Sequence, residues 1–257
     1  MIECALALRF LFGLPLRATE GLLQSLTRLL KLLVEVPDYT TLSKRQRSLP
    51  LTLKCTGSNQ AMDIVLDSTG LKVFGEGEWK RRQHGKSYRR TWRKIHLAVN
   101  VQTFDIEGAM LTEASCHDGE VLPVLVKSIQ APIGKLIGDG AYDHQTNYQY
   151  LDEHDIKAII PPRHNATITQ HGNCQQKPLR RDEALRQIRR YGRQGWKKRQ
   201  GYSKRSLAET MMYCFKTAFG GRLQNRLLTT QAVEVGIKCN ILNQFQQLGR
   251  PGSYAED

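Results

Sequence analysis

Apolar positions recur at helical spacing early in the chain. Leu22, Leu23, Leu26, Leu29, Leu30 and Leu33 share one side of residues 18–33. Thr19 stands where it can cap this helix, and Pro37-Asp38 breaks it. Residues 39–49 read as a second, short, basic helix. A helix, a turn and a basic helix fit a helix-turn-helix DNA reader and a plain helical hairpin equally well. Residues 50–61 read as a linker, after which the pattern changes. Residues 62–66 form a short apolar strand that ends in the turn Asp67-Ser68-Thr69-Gly70. Residues 94–101 alternate, with Ile95, Leu97, Val99 and Val101 on one side; a turn at 103–105 returns the chain through 106–111 as a hairpin. A helix over 118–129 places Val121, Leu122, Leu125 and Val126 on one face. A strand over 135–137 stops at Gly138-Asp139-Gly140, followed by a helix over 144–154 and a strand over 156–160. Residues 163–178 are polar and loop-like, and helical residues dominate from 182 to about 228, with a break between Gly192 and Gly201. This order of strands and helices specifies an α/β fold. No internal repeat or low-complexity stretch interrupts it.

Charge changes the picture. The 257 residues hold 38 Lys+Arg against 24 Asp+Glu, a formal +14, with 40% hydrophobic residues, enough for an ordinary core. So basic a folded chain points to a polyanionic partner, nucleic acid before an anionic membrane surface. The longest early apolar stretch, residues 4–16, contains Arg9 and falls short of the ~20 residues of a membrane span. It also lacks the basic start and small-residue cleavage site of a signal peptide. The six cysteines, at 4, 55, 116, 174, 214 and 239, form no Cys-x-x-Cys pair. Scattered thiols of this kind read as reduced, buried side chains of a cytoplasmic protein rather than a zinc or redox site. The cations cluster in two runs. Residues 79–94 carry eight without an acid, interleaved with Trp79, Tyr88 and Trp92. Residues 180–205 carry eleven against Asp182 and Glu183. Cations supply phosphate contacts, and exposed aromatics stack on bases or sugars.

Candidate chemistry lies in three carboxylates. Asp67 and Asp139 each follow a strand, where sites of open α/β sheets assemble, although either alone also reads as a turn residue. Near residue 205, Tyr202, Arg205, Glu209 and Lys216 fall within a sector of ~60° on an α-helix, with Leu207, Met211, Phe215 and Ala218 on the opposite side. Such a face is either a functional surface or a solvated one braced by an Arg205–Glu209 pair. His117-Asp118 reads as a helix start. His84 and His96 lack acids nearby in sequence. Asp143 orders a loop, and Asp63, four residues before Asp67, is the alternative first carboxylate.

Taken together these residues resemble insertion-sequence transposases of the DDE class, in the insertion sequence 5 family. Tyr202-x2-Arg205-x3-Glu209-x6-Lys216 is similar to that family's Tyr–Arg–Glu–Lys signature. Leu66-Asp67-Ser68-Thr69 and the stretch from Ile137 to Asp143 resemble its first two aspartate motifs. The run from Trp79 to Leu97 and the stretch from Leu14 to Leu22 add to the likeness, which covers about residues 10–225. The resemblance implies an RNase H-like catalytic core, a mixed sheet flanked by helices, at 59–229. A helical, DNA-binding N-terminal region at 1–58 precedes it, shorter than is usual in the family, and a C-terminal tail at 230–257 follows. Asp67, Asp139 and Glu209 are then the catalytic carboxylates and ligands of two Mg²⁺ ions, with Mn²⁺ able to substitute. Tyr202, Arg205 and Lys216 contact DNA at the cleaved bond, while Arg89, Arg90, Trp92, Arg93 and Lys94 track its backbone. The implied partners are double-stranded DNA, as terminal inverted repeats and target, and a second copy of the chain. The implied location is the cytoplasm, at the nucleoid. A catalytically inactive DNA-binding remnant is the competing reading. An RNA-binding or ribosome-associated protein fits less well, because binding alone has no use for three acids among so many cations.

Overall fold

A computed structural model describes residues 1–57, 60–73, 92–170 and 178–249. Its centre is a mixed sheet in the order β3-β2-β1-β4-β5. β2 (Trp92–Asn100) runs antiparallel to both β1 (Met62–Val73) and β3 (Ile106–Glu113), whereas β4 (Ile133–Ile137) and β5 (Lys157–Ile159) continue parallel to β1. This is the RNase H-like arrangement expected. A two-residue strand, β6 (Arg222–Leu223), pairs with the far end of β1.

Helices cover both faces because strand side chains alternate. Met62, Ile64, Leu66, Ala98 and Leu136 pack against α4 (Asp118–Ser128) and α5 (Gln145–Glu153). Val65, Leu71, Ile95, Leu97, Val99 and Ile137 pack on the other side. There they meet α6 (Arg180–Gln200), α7 (Ser206–Phe219) and α8 (Leu228–Gln247). Asp67 shares the odd-numbered face of β1 and so looks toward α7. The alternation read for residues 94–101 holds, with Ile95, Leu97, Val99 and Val101 all against this second layer.

The first strand does not end at residue 66. β1 continues through Asp-Ser-Thr-Gly to Val73 because β2 supplies partners as far as Lys72↔Trp92. Ladder bonds to a neighbour outweigh the turn preference of these residues. Thr19 caps nothing. α2 spans Leu16–Leu29, and the Thr19 hydroxyl donates back to the Pro15 carbonyl at 3.0 Å. Asp38 instead caps α3 (Tyr39–Arg45), accepting from the Thr40 and Thr41 amides at 2.7 and 2.8 Å.

Two larger expectations also change. Residues 230–247 are no tail. They lie in α8, which buries Val235, Cys239 and Leu242 against the sheet side and Val233, Ile237 and Ile241 against Leu6 and Phe10 of α1 (Ile2–Phe12). A helix apolar on two sides must be an inner element. Nor does 50–57 hang free as a linker. The Lys54 amide donates to Asn240 Oδ1 and the Thr56 amide to Asp105 Oδ2, both at 2.8 Å. The N-terminal helices are therefore docked on the catalytic body through α8. No helix among the described residues is long and apolar enough to cross a membrane.

Candidate active site

The site forms where the sheet splits. β1 and β4 stay paired only to Val65↔Ile137. β4 then leaves through Gly138 and Asp139 into a 3-10 turn at Gly140–Tyr142, while β1 goes on beside β2. Asp67 and Asp139 each lie two residues past the last parallel pair, one on either lip of the opening. Asp139 is held there by its own turn, its Oδ1 accepting from the Ala141 amide at 2.9 Å. Asp67 Oδ1 accepts from the Ser68 amide at 2.9 Å.

The third carboxylate arrives from the α6–α7 junction. Gly201 closes α6 at φ 67°, a left-handed conformation that suits glycine, and the chain turns at once into a 3-10 segment, Tyr202–Arg205. The expected four-residue face is thus split between this turn and α7, which begins at Ser206. The buried stripe of α7 is Ala208, Met211, Met212 and Phe215, and Ala218 is exposed. Within α7 that stripe centres ~100° round the helix from Glu209 and Lys216 rather than opposite them. The signature residues therefore border the packed face instead of opposing it. This offset turns them toward β1. Arg205 pairs with Glu209 through Nη2 and reaches Asp67 Oδ2 through Nη1 at 3.7 Å. Lys216 Nζ donates to Thr69 Oγ1 at 2.6 Å. Tyr202 leans on the buried Trp196, ring centroids 6.4 Å apart, with Lys197 Nζ 5.0 Å above its ring.

Electrostatic coupling adds Asp139 to this group. Burial pushes the Asp67 carboxyl above its usual range, and the charges of Asp139 and Glu209 push the same way, against the Ser68 amide and Arg205. Burial likewise raises the Tyr202 hydroxyl, helped by the same three carboxylates. Arg205 is raised on balance, because Tyr202, Glu209 and Asp67 outweigh its burial. Arg205 thus bridges Asp67 and Glu209, and Asp139 adds its charge at Asp67 and Tyr202. The three acids do not close into a ligand set: among the described residues no three His, Cys, Asp or Glu side chains form a metal-holding group. Glu209, 52% exposed at its side chain, is turned to Arg205.

Other expected residues settle elsewhere. Arg89 and Arg90 lie outside the described residues. Trp92 is exposed, its ring against Gly70 and 5.8 Å below Lys72 Nζ. Arg93 bonds Gln231 at 3.2 Å and pairs with Glu113 at 3.6 Å. Lys94 holds the Cys116 carbonyl at 2.9 Å and Asp118 at 3.1 Å. The charges of Arg93 and Lys94 are engaged inside the fold rather than offered outward. His96 is buried and neutral, its pKa lowered to about 4 by burial, and contacts Thr112 at 2.9 Å. Asp118 does not cap α4; it serves Lys94. Asp143 orders its loop as expected, gripping Arg181 Nε at 2.7 Å and the Arg163 amide at 2.8 Å. Asp63 lies between Lys135 and Lys204, at 3.3 and 3.6 Å. It is neutralised there and does not compete with Asp67. Sequence reasoning missed Thr69. Its signal was available in the two-residue step from Asp67, which on a continuing strand puts both on one face.

Two family models, each described as a transposase DDE domain, match this chain, one over residues 59–242 and one over residues 1–76. Among solved structures, the Drosophila P element transposase in its strand transfer complex aligns over 93% of this chain at 12% identity, with a TM-score of 0.34. The chain spans 63% of that protein's length. With a family model covering most of its length, around a sheet that splits between two aspartates, the chain belongs to the transposase DDE-domain family.

Proposed function

We propose that this chain cleaves DNA strands at the terminal inverted repeats of an insertion sequence and transfers their 3′ ends to target DNA, using Asp67, Asp139 and Glu209. It works as a homodimer on double-stranded DNA, in the cytoplasm at the nucleoid. The observation that carries this reading is the Arg205 bridge between Asp67 of β1 and Glu209 of α7, with Asp139 at the β4 exit adding its charge at Asp67.

The donor set suits hard divalent cations. It offers only carboxylate oxygens, and burial leaves the Asp67 carboxylate with a penalty that the Ser68 amide and Arg205 do not cancel. Asp67, Asp139 and Glu209 would hold two Mg²⁺ ions, or Mn²⁺ in their place. When bound, these supply the positive charge that lets an anionic phosphodiester accept a nucleophile and release an oxygen anion. The chain's own side chains do the rest. Arg205 exchanges its carboxylate partners for a phosphate, which a guanidinium grips through two parallel hydrogen bonds. Lys216 adds a point charge, steadied by Thr69. Tyr202, held by Trp196, offers its ring to the strand beside the scissile bond. Trp92, with Arg89 and Arg90, extends the contact along the backbone.

A second reading, a DNA-binding protein that does not cut, draws on the Arg205 bridge, which already satisfies two of the acids. Incubation with Mg²⁺ and a plasmid carrying the inverted ends separates the two. Nicking by the native chain that is lost in Glu209→Ala supports catalysis. Nicking that persists in Glu209→Ala removes this site assignment, and binding without nicking by either favours the second reading.

A further inference from the structure

Helix α6 is not straight. Gly192, at φ 73° and ψ 160°, breaks it into two limbs. Gln187 and Gln200, ~20 Å apart along an unbroken helix, meet in a 3.0 Å hydrogen bond. Arg199 lies 4.1 Å above the ring of Tyr191, eight residues earlier, and Arg190 lies 5.2 Å from the same ring. The limbs therefore fold back on each other at a glycine whose backbone conformation L side chains rarely adopt.

The fold-back gathers charge without compensation. Arg180 and Arg181 are committed to Asp152 and Asp143. Arg189, Arg190, Arg193, Lys198 and Arg199 make no ion pair with any described acid. Two guanidiniums stacked at one exposed tyrosine repel each other, and no acid among the described residues pairs with either. An arrangement of this kind is stable to the extent that an anion joins it. The second limb runs directly into Gly201 and the Tyr202–Arg205 turn, so the cluster is continuous with the proposed active site.

We propose that this doubled-back hairpin is a clamp for the phosphate backbone of duplex DNA flanking the cleaved bond, with Arg190 and Arg199 seated on Tyr191 as its jaws. The inference rests on the DNA-processing reading above and adds to it a second, sequence-independent grip.

The test is equilibrium binding of a duplex of arbitrary sequence over a salt series, in EDTA so that no cutting occurs. The double variant Arg190→Gln/Arg199→Gln should weaken binding about tenfold and lower the salt slope by about two. Gly192→Ala, which keeps every cation but disallows the fold-back, should weaken binding comparably. Lys127→Gln/Lys157→Gln removes the same charge from exposed positions on α4 and β5 and should change the slope far less. Equal losses in the two doubles would mean that net charge alone matters and overturn the clamp. So would an unchanged slope in Arg190→Gln/Arg199→Gln, or a loss seen with RNA and not with duplex DNA. A native chain that holds no duplex DNA at all removes the DNA-processing reading itself, whereas a native chain that binds beside indifferent variants removes only the clamp.

Discussion

Asp67 shows what it costs to place a carboxylate where the sheet splits. Its carboxyl is raised by burial and by two neighbouring acids, so its ionised form is less stable in the fold than in the unfolded chain. For a carboxyl raised in this way the penalty is absent below the ordinary value near 3.8, where both states are protonated, and grows as pH rises through the folded value. Asp67→Asn should therefore raise the denaturation midpoint of the metal-free protein at pH 7 while abolishing nicking, and the gain should vanish at pH 3. Urea titrations at the two pH values check this. His96 has the opposite shift with a similar moral. Its folded pKa of about 4 lies below the ordinary 6.5, so the unfolded chain takes up the proton first as pH falls. Stability should drop between pH 6.5 and 4, and His96→Gln should flatten that part of the curve. Thr69 gives a third residue-level expectation. Thr69→Val removes the partner of Lys216, and should raise the DNA concentration needed for half-maximal nicking several-fold while leaving the maximal rate nearly intact.

At the scale of the element, the informative cases are those whose ends were misjudged. α7 was legible as a helix with a Tyr–Arg–Glu–Lys pattern. Its true buried stripe was not, because the turn at Gly201 resets the phase between Arg205 and Ser206. In sequence β1 reads as a shorter strand because Asp-Ser-Thr-Gly is turn-like locally, and only the β2 ladder overrules that. α8 was invisible as a core helix because polar residues interrupt its pattern. Asn240 and Asn243 are buried, and each bonds backbone of the segment after the N-terminal helices. Asn243 Oδ1 also accepts from the Ile106 amide at 2.8 Å. Asn243→Leu leaves that buried amide without a partner. It should lower unfolding free energy by about 1–3 kcal/mol, measurable by denaturant titration.

Across the whole molecule, α8 joins parts that the sequence lists separately. It lies under β3, against α1 and beside α7, and a fully buried Glu234–Lys238 pair holds the Gln224 and Asn225 amides to it. Ending the chain at residue 227 should therefore leave insoluble or molten material rather than a trimmed catalytic domain. Circular dichroism and thermal unfolding of the shortened protein check this. A catalytic body that melts cooperatively without α8 would show that the N-terminal docking is dispensable.

The order of residues alone determined the family likeness and the class of fold. Period-two and period-3.6 patterns are local, and so is the spacing of Tyr202, Arg205, Glu209 and Lys216, and the concentration of cations needs no coordinates. Tertiary structure decided which of the acids lie beside one another. Asp63 and Asp67 share a strand face, yet only Asp67 lies past the point where β1 and β4 part, while two lysines from elsewhere neutralise Asp63. It also decided which cations are free, since Arg93 and Lys94 are paired internally and Arg190 and Arg199 are brought together by one glycine. The physical reason is the same in each case. Charge and burial depend on neighbours distant along the chain, and no local pattern encodes who those neighbours are.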